Sequence, residues 1–274
     1  MNHFDVSRRN LLGSMSAAGL WGQTASQASG GKKTILFVGA DMGDAEWGAG
    51  GLMFKALKDG FRVVAVLGVS DWSNYPPAKG KEQPARERVL SLAKQMGIEK
   101  ILLDYKYHSV PVDMEIKKRI AQIQADVEAD IAVIQSESDY WDDHTNMARS
   151  AKDGLMFAHS FLSRAVRSPR AILAYPVGPQ QTHDFRPDTF VDTTDVIERL
   201  AWLMNQVHGI IGDPNAFVAT TTLHGPAAQG YPKKLDLTAY ADQVLAAEKH
   251  WGGMCGVRYA EAFQSIQFRP RKLW

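Results

Sequence analysis

A chain of 274 residues, 45% apolar and 9% aromatic, can bury the core of one large globular domain or two small ones. Its 31 basic and 30 acidic residues nearly cancel, which excludes the basic stripe that a nucleic-acid partner needs. The single cysteine, Cys255, excludes an intrachain disulfide framework and a cysteine-rich metal site, and reads as a small hydrophobe.

In chain order, the first thirty residues have the form of a targeting segment. Ser7-Arg8-Arg9-Asn10-Leu11-Leu12 is of the twin-arginine type, Gly13 to Trp21 is modestly apolar, and Ala25, Ser26 and Ala28 offer small residues to a signal peptidase. The expectation is export to the periplasm of a chain already folded, cleavage after Ala28, and a neutral mature domain over residues 31–274. No apolar run in that domain is long enough to span a bilayer.

Beyond the leader, apolar β-branched runs at 34–38, 62–69, 100–103, 131–135 and 171–177 predict strands buried on both faces. Helical periodicity fills 49–59, 84–96, 113–128, 145–167, 194–207 and 238–250. Strict alternation of strand and helix predicts α/β architecture: a Rossmann-like three-layer sandwich with a mainly parallel sheet, in a single domain. Ser70 to Gly80 and His224 to Pro232 read as long rim loops.

Chemistry gathers after the first and fourth strands. The turn after Val38 carries Asp41, Asp44 and Glu46 among glycines 43, 48, 50 and 51, and the run after Ile134 leads into Asp139-Tyr140-Trp141-Asp142-Asp143-His144. Open α/β sheets bind ligands at the carboxyl ends of their strands. Acids at a helix start also serve as simple caps. Two such turns supplying carboxylates and one imidazole suit zinc, and equally manganese or iron.

These residues resemble the PIG-L/LmbE-type de-N-acetylases, zinc hydrolases that remove acetyl groups from N-acetylglucosamine-type sugars. The family's A-H-P-D-D-A-E is matched by Ala40-Asp41-Met42-Gly43-Asp44-Ala45-Glu46, and its H-x-D-H by Trp141-Asp142-Asp143-His144. Arg86, Ala93 and Met96-Gly97 are similar to its R-x-x-E…A…LG helix, with Val89 in place of Glu. Phe185-Arg186-Pro187-Asp188 with Phe190-Val191-Asp192, and Gly256-Val257-Arg258-Tyr259-Ala260-Glu261-Ala262-Phe263, are similar to two later segments, so the likeness spans roughly residues 33–265.

The resemblance implies a metal held by Asp41, Asp44 and His144, with Asp41 where the family has histidine. It places the family's general base on Gly43 and its oxyanion-stabilising histidine on Trp141, so both roles pass elsewhere or lapse. Asp143, beside His144, is the candidate base acting through a water. Trp72, Tyr75 and Trp141 are candidates for stacking on a sugar ring or for packing loops, and Arg86 for a polar substrate group or a helix-surface ion pair. The expected partner is a small-molecule or glycan substrate. The expected function is metal-dependent hydrolysis of an N-acetylated sugar or related amide. The alternative is a non-catalytic carbohydrate-binding or scaffolding descendant of that fold.

Overall fold

A computed structural model describes residues 32–177, 182–208, 210 and 239–268. The leader and the rim loop at 224–232 lie outside the described residues. Seven strands form one sheet in the order β3-β2-β1-β4-β5-β7-β6: β1 (Thr34–Gly39), β2 (Arg62–Asp71), β3 (Glu99–Lys106), β4 (Ile131–Gln135), β5 (Ala171–Tyr175), β6 (Thr189–Asp192) and β7 (Ala260–Phe268). β1 to β5 are mutually parallel, and β7 runs antiparallel between β5 and β6. The centre is the most apolar: every side chain of β1 from Ile35 to Val38 is buried, as expected for a strand with helices on both faces.

Seven helices cover this sheet: α1 (Asp44–Lys58), α2 (Glu82–Met96), α3 (Met114–Val127), α4 (Asp142–Met156), α5 (Ala158–Leu162), α6 (Ile197–His208) and α7 (Ala239–Cys255). α3, α4 and α5 pack on one another, α6 packs on both α1 and α7, and α1 and α4 both reach β1 and β4. The fold is the expected Rossmann-like α/β sandwich. None of the described helices is long and apolar enough to cross a membrane.

Three details depart from the sequence expectation. The stretch predicted as one helix over 145–167 is two, because Phe157 leaves helical geometry (φ −114°, ψ 21°) and Ser163 ends the second piece in the left-handed region. α1 begins at Asp44, five residues early, and is broken at Ala49 (φ −152°). The break is fixed by packing: a Cβ on Gly48 would lie 2.1 Å from the Tyr175 ring, and one on Gly51 would lie 2.5 Å from the Thr193 methyl. It also frees the N–H groups of Gly51 and Leu52, which donate to the two carboxylate oxygens of Glu261 on β7 at 2.6 and 2.7 Å. Finally, β6 and β7 extend the sheet beyond the five expected strands.

Candidate active site

Parallel order reverses between β1 and β4, since β2 and β3 lie to one side and β5 to the other. Such a switch point leaves a crevice at the carboxyl edge. Gln135, the last residue of β4, ties the two strand ends together: its Oε1 accepts the Ala40 N–H and its Nε2 donates to Asp44 Oδ2 at 3.0 Å. The same oxygen accepts the Asp41 N–H at 2.6 Å. Gly43, at φ 91°, makes the left-handed turn that starts α1, a conformation open to glycine at little cost. Asp44 thus enters the first turn of α1, where the helix dipole favours negative charge.

From the other side, the first turn of α4 presents His144. Its Nε2 lies 3.4 Å from Asp44 Oδ2 and 3.6 Å from Asp41 Oδ2. Behind the ring, Nδ1 faces Asp139 Oδ2 at 3.1 Å, outside hydrogen-bond angles, and neither atom has another hydrogen-bond partner among the described residues. The other Asp139 oxygen accepts the Trp141 N–H at 3.0 Å, which fixes the carboxylate behind the imidazole.

Burial dominates the electrostatics. It drives the Asp44 carboxyl up to about 7 against the pull of His144, and it raises Asp41. Burial opposes charge on His144 as well, but Asp44, Asp139 and Asp41 outweigh it and take the imidazole up to about 11. Three acids crowding one histidine hold more negative charge than one imidazolium balances. Among the described residues no group of three or more His, Cys, Asp and Glu side chains is placed to hold a metal ion as it stands. The separations nevertheless suit one: metal–donor bonds of about 2.0–2.2 Å place neighbouring donors roughly 3.3–3.6 Å apart in a tetrahedral site. Asp139 stands where a carboxylate behind a ligating histidine fixes ring orientation and raises basicity. By the chemistry of their donors, Asp41, Asp44 and His144 are the residues that would hold a divalent cation there.

The remaining expected residues are placed differently. Asp143 is buried, and both of its oxygens are taken: Oδ2 accepts the His108 N–H at 2.6 Å and Oδ1 the Val110 N–H at 2.9 Å. It therefore pins the loop between β3 and α3 instead of standing as a free base. Trp72 is 1% exposed within the core and offers no face to a sugar. Arg86 takes the ion-pair option, bonding Asp104 and Ser70. Glu46 pairs with Lys100 at 2.6 Å, both side chains buried, and so lies outside the site. Trp141 keeps a ligand-facing position, 38% exposed, with its ring centroid 6.4 Å from that of His144.

Trp141 ends a ladder of rings that the sequence reading had only in part. Tyr75 lies 4.7 Å from Tyr107, Tyr107 lies 4.2 Å from His108, and His108 stacks on Trp141 at 5.6 Å. The position of Tyr107 and His108 just past β3 was the available signal. A separate cleft of about 520 Å³, lined by Trp47, Gly48, Phe185, Trp251 and Glu261 among others, includes none of Asp41, Asp44 and His144.

An open, mainly parallel α/β sheet with an acid-and-imidazole crevice at its switch point defines the class of protein. The sequence matches no protein-family model and no curated protein. Solved structures do match. N,N'-diacetylchitobiose deacetylase from Pyrococcus horikoshii is 17% identical over 97% of this chain and 94% of its own, with a TM-score of 0.66. GalB, the 4-carboxy-2-hydroxymuconate hydratase of Pseudomonas putida KT2440, is 19% identical over 88% and 99%, with a TM-score of 0.67. The zinc-inhibited form of teicoplanin deacetylase Orf2 is 11% identical over 85% and 97%, with a TM-score of 0.55. At these identities the likeness establishes the fold, which this chain shares with deacetylases and with a hydratase. One fold carrying both reactions leaves the chemistry to be argued from the site.

Proposed function

We propose that this protein is a metal-dependent hydrolase of the de-N-acetylase type, acting in the periplasm after twin-arginine export on the amide of an N-acetylated sugar or a related compound. The observation that carries this is the convergence of Asp41, Asp44 and His144 at donor-to-donor distances, with Asp139 behind the imidazole. A divalent cation held there, zinc before manganese or iron, supplies Lewis-acid polarisation of an acyl oxygen and acidifies water. The protein's own contribution is orientation. Gln135 and the Asp41 N–H fix the Asp44 carboxylate, Asp139 fixes His144, and the exposed Trp141 ring offers a flat apolar face to a sugar.

A second reading, a glycan-binding protein without turnover, is supported by Gly43 and Trp141, which bring no titratable side chain to two positions flanking the crevice. Metal content separates the two. Elemental mass spectrometry of the purified mature protein is expected to give near-stoichiometric zinc or manganese, lost in His144→Ala. Absence of metal after incubation with excess zinc would overturn the hydrolase and leave the binding protein.

A further inference from the structure

Amide hydrolysis needs a group that accepts a proton from water and then gives one to the departing nitrogen, because an unprotonated amide nitrogen is too basic to leave. The obvious neighbours of the crevice do not meet that need. Both Asp143 oxygens are occupied by backbone N–H groups. Asp139 is committed to Trp141 and His144. Gly43 has no side chain, and indole donates only.

His108 is different. It is exposed, two residues past the end of β3. Its imidazole meets the Tyr107 ring at 4.2 Å and stacks on Trp141 with the ring planes 27° apart, and the Trp141 ring lies 6.4 Å from that of His144. Its backbone is in the left-handed region (φ 56°), which costs an L-residue about 1–2 kcal/mol. The Asp143 carboxylate holds it there, through the N–H groups of 108 and 110. Asp143 precedes His144 in the first turn of α4, so one helical turn positions both imidazoles. Costly backbone geometry held by a buried carboxylate is the kind of local strain that collects at working sites.

We propose that His108 is a catalytic residue of this site, an inference that rests on the hydrolase reading above. Its imidazole takes a proton from water as the water oxygen bonds to the acyl carbon. As the C–N bond breaks, the imidazolium returns that proton to nitrogen. One water is consumed, a carboxylic acid and an amine leave, and His108 ends as it began.

The test uses His108→Gly, because glycine adopts φ 56° without strain and the variant therefore folds. With N-acetylglucosamine, N,N'-diacetylchitobiose and p-nitroacetanilide as probes, kcat is expected to fall about 100-fold while KM moves less than about three-fold. Metal content stays at the wild-type value, and added imidazole restores at least about ten-fold of the lost rate. Wild-type kcat in His108→Gly would overturn the proposal and leave the hydrolase standing. So would a loss that imidazole does not rescue but His108→Asn does, since that marks a backbone role. A metal-loaded wild type that cleaves none of the three amides would overturn the hydrolase reading, and the role of His108 with it.

Discussion

Two groups of buried carboxyls lie along α1, and they solve the same problem in opposite ways. At its start, Asp41 and Asp44 stand against an imidazole with a third acid behind it, close to the solvent edge. At its break, Glu261 accepts the N–H groups of Gly51 and Leu52, and Glu248 accepts the hydroxyl proton of Thr193. Both acids of this second pair accept from neutral donors. Burial pushes Glu248 up to about 8 and Glu261 well above its ordinary value, while at the start of α1 the same upward push on Asp41 and Asp44 is opposed by the His144 imidazole. A buried acid with a raised pKa is thus not by itself the mark of a working site. What separates the two is the imidazole and the convergence of donors on a common point.

The largest expected consequence concerns pH. Glu248 titrates at about 8 in the folded chain against 4.5 unfolded. Below pH 4.5 both states hold the proton. Between 4.5 and 8 the unfolded chain has released it and the folded chain has not, so stability falls as pH rises. Glu248→Gln is expected to flatten that fall, which is on the order of 3–5 kcal/mol across the window. Denaturant titrations at pH 5 and pH 8 read it directly, and an unchanged slope would mean that Glu248 is ionised in the fold.

Next in size, Glu261→Ala leaves two buried N–H groups without acceptors, a loss of about 3 kcal/mol by chemical denaturation. Metal content should stay untouched, and a fall in it would join the two carboxyl groups into one functional unit. Smallest is Asp139→Asn. An amide behind His144 orients the ring less firmly, and metal affinity is expected to fall about 10–100-fold by competition with a chelator while the fold holds. Unchanged affinity would show that Asp139 supports the α4 cap alone.

Much of this was legible in the sequence. The five parallel strands were visible because continuous apolar runs such as Ile35 to Val38 have few other uses. Asp41, Asp44 and His144 could be paired because strand ends at a switch point are neighbours in space whatever their separation in the chain. β7 was not recognised as a strand because Ala260 to Phe268 breaks alternation at Ala262-Phe263 and Gln264-Ser265, and its buried Glu261 reads as surface. Asp139 looked like part of a loop, since nothing local shows that it turns back on His144. Trp72 failed for the opposite reason: a large aromatic after a strand serves the core or a ligand equally well, and only packing decides. His108 was hidden because its place depends on Asp143, 35 residues away.

The clasp between Glu261 and the broken helix has a consequence for the order of assembly. β7 is the last element of the described chain, yet it separates β5 from β6 and supplies both acceptors for the interruption in α1. Without Ala260–Phe268 the Gly51 and Leu52 N–H groups beside the break at Ala49 lose both of these acceptors. Completion of the first helix therefore waits on a strand 210 residues further along the chain.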